Sequence, residues 1–517
     1  MNLVDDPWIP CIRRDGMVRP ASLRDCFTCD DIVDLAVRPH ERVALMRLLL
    51  CVSYAAAGIP ADYDAWESLR ERLPSAVSAY LDQWRDSFEL FHPEKPFLQI
   101  AGLRSGSKLE ECIPCSKLDF ALASGNNSTI FDHAALSERQ FSPAWLALNL
   151  LGFQMFSPSG TIGAVYWGDA EIAKETGYSA ICMKSSMLHT SLRGQYLLET
   201  IHMNILSKEK LDSYFIKNNL FGRPLWEMFP QTYNDHDAIS NATQTFIGRL
   251  VPLTRLIRLE KNCKHMILGN GLDFPSFGDA QAPFPQEISA TAVLNNKKDA
   301  LVLLKYIPDI AIWRQLASIT VYPHKESLSG CRIISNGDGY ENIDIVVDGI
   351  MYSGNGGFVD ATESTFHIPG AMFQTEGHSL YEGEVARAEN IALGLGNAVE
   401  RYRRLVDGGW EGRLKQAGPK KGEELARLKA QALRHYWTAV ETNLSLLWRM
   451  VRTCGSEAFV PLQQAWWAHL EKSARAAYAA ACGKDTERQM RAYVTGRRIL
   501  AGCLRKYLER DGNKEEA

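Results

Sequence analysis

Towards its C-terminal end the chain carries apolar residues at helical spacing in four successive stretches. Val385, Ala388, Ala392, Leu395, Val399, Tyr402 and Val406 form the first stripe, which stops at Gly408-Gly409. Leu425 to Val451 form a second, longer stripe, and Leu462 to Tyr478 a third, closed by Gly483. Met490, Tyr493, Leu500, Leu504 and Tyr507 form the fourth, preceded by Thr486 and Gln489 at capping-box spacing. Short connections between amphipathic helices predict a four-helix bundle over 377–517. Ahead of it the pattern is mixed. Pro39–Tyr54 and Pro143–Phe156 are apolar nearly all round and predict buried helices, each with a proline suited to its first turn. Trp66–Phe91 predicts further helix. Leu3–Ile12 reads as a short strand that the prolines at 7 and 10 restrict to an edge or an extended packing segment. F-H-P-E-K-P-F-L-Q at 91–99 predicts an extended passage anchored by Phe91 and Phe97. Thr245–Lys305 reads as short β segments with a turn at Gly269-Asn270-Gly271, and Ile343–Met351 as a strand leading into a hairpin-like loop at 353–358. The fold class is therefore α+β, a large mixed domain over 1–376 followed by the bundle.

With 517 residues the chain is too long for one core, which agrees with that division. A net charge of -4 gives no global basic signature, yet the charge is uneven: 24 Lys and Arg stand against 17 acids from Tyr381 onward. Such asymmetry can mark a nucleic-acid face. The N-terminus lacks the basic and apolar regions of a signal peptide, and Val43–Ala57, broken by Arg47, is too short to span a bilayer. Twelve irregularly spaced cysteines then predict reduced thiols and a cytoplasmic location.

Two C-x-x-C pairs, Cys26/Cys29 and Cys112/Cys115, could together supply a tetrahedral thiolate zinc site, although over eighty residues separate them. His40, His92, His133 and His189 lack carboxylates at ligand spacing and read as structural or surface histidines. Nucleotide-binding and hydrolase motifs are absent, so the sequence does not read as an enzyme. What recurs is glycine beside basic or amide residues: Gly160 and Gly163; Gly354, Asn355, Gly356 and Gly357; and Lys261 and Lys264 just before Gly269. Glycines let a backbone approach a groove floor, a lysine reaches minor-groove acceptors, and an apolar wedge separates a base step. Ser124–His133 is a turn-forming run ending in Ile130, Phe131, Asp132 and His133, an aromatic tip beside hydrogen-bonding side chains.

L-V-D-D-P-W-I-P at the N-terminus, H-P-E-K-P-F-L-Q at 92–99, I-F-D-H at 130–133 and A-I-W-R at 311–314 occur in that order ahead of the helical region. In this combination the chain resembles the large subunit of the type I-E CRISPR Cascade complex, the CasA family. The resemblance implies a non-catalytic subunit that reads the protospacer-adjacent motif (PAM) from the minor groove, starts strand separation and recruits the helicase–nuclease. It implies as partners double-stranded target DNA, the CRISPR RNA 5′ end, and the subunits CasB, CasC, CasD and CasE. A glycine loop would fall at Gly160–Gly163, a lysine finger at Lys264 or Lys261, and a wedge at Gly354–Phe358. Phe131, Asp132 and His133 would dock on the guide complex.

Two departures stand out. The family wedge commonly carries a glutamine, whereas this sequence has Asn355-Gly356-Gly357, leaving Asn355 and Phe358 both open for the role. Some members bind zinc through two cysteine pairs, but Cys112/Cys115 does not fall where those pairs do, so no cofactor is expected. The alternatives are a metal-dependent hydrolase built on the Cys and His residues, and a purely structural scaffold.

Overall fold

The computed structural model describes residues 1–106, 112–122, 132, 138–212, 221–275, 287–295, 300–321, 329–352, 358–408 and 419–508. The chain falls into two compact units, Met1–His367 and Ile368–Ala517. The first is mixed helix and sheet and the second is helical. Among the described residues no helix is long and apolar enough to cross a membrane.

In the first unit the helix Pro39–Ala57 is the central pillar, buried from His40 to Tyr54. Pro39 opens it because the first helical N–H has no intrahelical partner to lose. It packs against the helices Tyr63–Gln83, Pro143–Phe156 and Phe246–Leu250 and against the strand Asn342–Tyr352. Around this core lie small antiparallel sheets of two or three strands.

The structure departs from the sequence reading at several places here, one being the helix Phe246–Leu250 inside the stretch read as β. Ile9–Arg13 is a central strand, between Val18–Ala21 and Ile32–Leu35. Pro10 lies opposite Pro20 in the ladder, and its carbonyl accepts the Ala36 N–H at 2.8 Å on the other side. Gly269 and Asn270 lie inside the strand His265–Asn270, and the hairpin turns earlier, at residues 260–264. Those glycines answer to close packing: a Cβ at Gly269 would collide with Val165, and one at Gly271 with the Thr254 backbone. The passage after Phe91 is a turn, because His92 Nδ1 accepts the backbone N–H groups of Glu94 and Lys95 at 3.1 and 3.0 Å.

The second unit holds the helices Thr375–Gly408, Pro419–Glu441, Leu444–Arg452, Phe459–Ala481 and Glu487–Leu508. The second predicted stripe is thus two helices. Its break at Thr442 and Asn443 is held by His469, whose Nε2 lies 2.9 Å from the Ala439 carbonyl while Asn443 meets its Nδ1 at 3.2 Å. The predicted capping box is formed: Gln489 N–H donates to Thr486 Oγ1 at 3.2 Å, and Thr486 N–H to Gln489 Oε1 at 3.1 Å.

Candidate nucleic-acid interface

Helix Pro143–Phe156 ends before Pro158, and the chain turns into a strand, Gly160–Ile162, paired antiparallel with Glu175–Gly177. Gly160 and Gly163 are both exposed, and nothing stands within 4 Å of where a Cβ would be. Neither has the left-handed φ that demands glycine. Internal packing therefore does not require these glycines, and what they leave is bare backbone on the surface. The support beneath is rigid. Arg255 donates to the carbonyls of Pro158 and Tyr178 at 3.0 and 2.5 Å, and Asn270 donates to Glu175 Oε1 at 2.6 Å.

Lys261 and Lys264 stand on the turn joining strands Arg255–Leu259 and His265–Asn270. Asn262 Oδ1 accepts the N–H groups of Lys264 and His265 at 2.9 and 3.2 Å, and Cys263 takes φ 57° to close the turn. The Lys264 ammonium meets Glu138 Oε2 at 3.1 Å in an exposed pair. Lys261 is exposed and forms no ion pair with a described residue. The glycine strand rests at the Arg255 and Asn270 end of this hairpin, and the lysines occupy its other end. Lys264 and Gly269 are about five residues apart, roughly 17 Å along the strand.

The third element is the hairpin of Asn342–Tyr352 and Phe358–Pro369. Gly354, Asn355, Gly356 and Gly357 lie outside the described residues. Phe358 begins the returning strand, its ring edge-on to Tyr352 with centroids 6.2 Å apart. Tyr352 in turn meets Phe120 at 5.5 Å, so Phe358 sits at the root of the hairpin and leans on the core.

The family model for CRISPR-associated protein Cse1 matches residues 2–495. The chain belongs to the Cse1 family. A CasA/Cse1 protein of Thermus thermophilus is 26% identical over 430 residues, covering 79% of this chain and 78% of that one. The fold is similar to Cse1 of Acidimicrobium ferrooxidans, with a TM-score of 0.75 at 20% identity over 98% of this chain and 99% of that one. It is also similar to a chain of a CRISPR RNA-guided surveillance complex, with a TM-score of 0.70 at 16% identity over 97% and 99% of the two chains.

In this Cse1-family chain Phe131 and His133 lie outside the described residues. Asp132 is mostly buried and accepts from Arg139 at 2.8 Å. The two cysteine pairs are not brought together. Cys26 is buried beside Cys11, whose side-chain hydrogen bond and then burial raise its thiol, while Cys29 meets Asp25 at 3.5 Å. Cys115 lies instead against the lysine turn, its N–H donating to the Lys264 carbonyl at 2.8 Å. Burial first, and then Cys263, push its thiol up to about 12. Exposed Cys112 is in the same segment, and among the described residues no three His, Cys, Asp or Glu side chains group as metal ligands. His189 hydrogen-bonds Ser289 and the Cys182 carbonyl, both at 2.9 Å, and buried His40 lies against Phe120 and Phe156.

Sequence reasoning missed Lys174. It is exposed, forms no ion pair with a described residue, and stands one step beyond the paired Ile162 and Glu175, beside Gly163. K-E-T-G at 174–177 carries no apolar–polar alternation, so nothing local marked this strand.

Proposed function

We propose that this chain is the non-catalytic large subunit of a CRISPR RNA-guided surveillance complex. In this reading it recognises the PAM in duplex DNA through the minor groove, begins strand separation and recruits the helicase–nuclease. It docks on the CRISPR RNA 5′ end and the other subunits through the loop containing Asp132. The observation that carries the reading is the bare backbone at Gly160 and Gly163, flanked by Lys174 and backed by the hairpin that ends in Lys261 and Lys264. Backbone without side chains can enter a narrow groove, and ammonium groups on either side can reach phosphates or minor-groove acceptors. Because Phe358 leans inward, Asn355 is the residue left to start strand separation. Readout from the minor groove leaves A·T and T·A alike, so several adjacent motifs are tolerated while guide pairing supplies the specificity.

The test is duplex binding by the assembled complex. Lys261→Ala with Lys264→Ala, and Lys174→Ala separately, should each weaken binding. Each should also flatten the log–log salt dependence by about 0.9 per lysine that contacts a phosphate. Unchanged affinity and motif preference in all of these variants would remove the lysines from the interface.

A further inference from the structure

The strand Asn342–Tyr352 runs on past the sheet that supports it. Its neighbour on one side, Leu188–Arg193, pairs with it from Asp344 only as far as Gly349, which lies opposite Leu188. Leu188 is the first residue of that strand, and Met187 before it bridges to Lys305 instead. Residues 350–352 and the returning residues 358–361 are therefore a two-stranded arm, with no third strand among the described residues. Two strands alone are at best marginally stable in water. An arm that has to part base pairs needs a further hold.

Tyr306 supplies it from one face. A Cβ at Gly349 would meet Tyr306 and, on the returning strand, Thr362, each at 3.2 Å, so Tyr306 stands over the point where the third strand stops. Its hydroxyl donates to Asp360 Oδ2 at 2.7 Å, and Asp360 Oδ1 accepts the Ala361 N–H at 2.9 Å, which leaves the carboxylate one orientation. Burial first, and then Asp360, raise the Tyr306 phenol, so it stays a donor. The opposite face is held separately. Glu363 follows Thr362 and points the other way, where Arg42 of the central helix meets it at 3.2 Å. Tyr352 leans on Phe120.

Tyr306 is itself fixed to the start of the supporting strand. Its N–H donates to the Ser186 carbonyl at 2.8 Å, and the Leu188 N–H donates to the Leu304 carbonyl at 3.1 Å. Ser185 and Ser186, which make the turn into that strand, have φ of 61° and 49°. Left-handed backbone is costly for a residue with a side chain, persists only where its surroundings impose it, and gathers at functional positions. Here it aims the Ser186 carbonyl at Tyr306, so the sheet and the tyrosine form one support. We infer that Tyr306 is a positioning residue for strand separation: through Asp360 it ties the arm to the end of the sheet and holds it against the duplex. Tyr306 and Asp360 act through the arm, with no base contact of their own. The inference deepens the reading of the hairpin given above and rests on it.

The test uses the assembled complex and two targets. One is a fully paired duplex with 2-aminopurine beside the PAM, whose fluorescence reports opening. The other is the same duplex with the base pairs next to the PAM already opened by mismatches. Tyr306→Phe keeps the ring and loses the hydroxyl. It should slow opening of the paired target roughly tenfold, the scale of one hydrogen bond to a charged group, and bind the mismatched target within about twofold of the parent. Asp360→Ala should behave in the same way, whereas Asp360→Asn, whose Oδ1 still accepts from the hydroxyl, should keep most of the rate. A tyrosine that only stabilised the fold would impair both targets alike. That result, or opening of the paired target at the parent rate in Tyr306→Phe, would overturn the inference. A parent complex that binds the paired target without opening it counts instead against the hairpin reading.

Discussion

Replacing Glu287 by glutamine should loosen the strands that carry the proposed interface, without touching them. Glu287 is buried between two guanidiniums, Arg47 at 3.1 Å on the central helix and Arg249 at 2.5 Å on the helix Phe246–Leu250. The second of those helices leads directly into the strand Arg255–Leu259. Burial by itself would raise the carboxyl, but Arg249 and Arg47 outweigh it and hold Glu287 at about 2, against a usual 4.5. At about 1.4 kcal/mol per pH unit, that difference corresponds to roughly 3 kcal/mol. The figure agrees with the ~3–5 kcal/mol lost when one member of a buried ion pair is removed. Because the folded pKa is the lower one, this stabilisation is complete above pH 4.5 and is lost as the pH falls towards 2. Amide hydrogen exchange read by mass spectrometry at neutral pH isolates the strand Arg255–Leu259 from the helical unit. Glu287→Gln should lower its protection by roughly 100-fold, the equivalent of about 3 kcal/mol. Protection within twofold of the parent would refute the argument.

Glu138→Gln should cost less than about 1 kcal/mol in stability, because its pair with Lys264 is exposed. The same change frees an ammonium, so duplex binding should tighten and its salt dependence steepen by about one unit, measured by titration at several salt concentrations. Tyr352→Phe removes a buried hydroxyl that has no partner among the described residues and should raise stability by about 1 kcal/mol in a urea series. Burial holds His189 at about 4 and, with Arg38 adding to it, His40 at about 3, so both are neutral in the folded chain. The unfolded chain takes up those protons from about pH 6.5 downward. Stability should therefore fall with pH from 6.5 to about 4, by roughly 1.4 kcal/mol per unit for each ring, and His189→Gln should flatten the slope.

The elements legible in the sequence were those whose pattern is local. Pro39 and Pro143 announce their helices, the stripes give the helical unit, and Thr486 with Gln489 marks the last helix start. The misreadings arose where a distant residue decides the local structure. His469 divides a continuous apolar stripe from 26 residues away, and Val165 and Thr254 turn a glycine-rich run into packed strand. The same holds at the interface. Glycines at 160 and 163 were conspicuous in the sequence, but the support beneath them comes from Arg255 and Asn270, which share no motif with them.

The hairpin of Arg255–Leu259 and His265–Asn270 also has a consequence for helical phase. Its length of about 17 Å is half a turn of B-form DNA, whose repeat is roughly 34 Å. Over half a turn the face of a duplex changes from one groove to the other. If the hairpin lies along the DNA axis with Gly160 and Gly163 in the minor groove, Lys261 and Lys264 face the major groove. If it lies across the axis, the lysines reach the phosphates of the far strand. In either orientation, lengthening both strands by two residues would move the lysine end by about 7 Å, two base steps, and hydroxyl-radical footprints would shift by that amount at one end only.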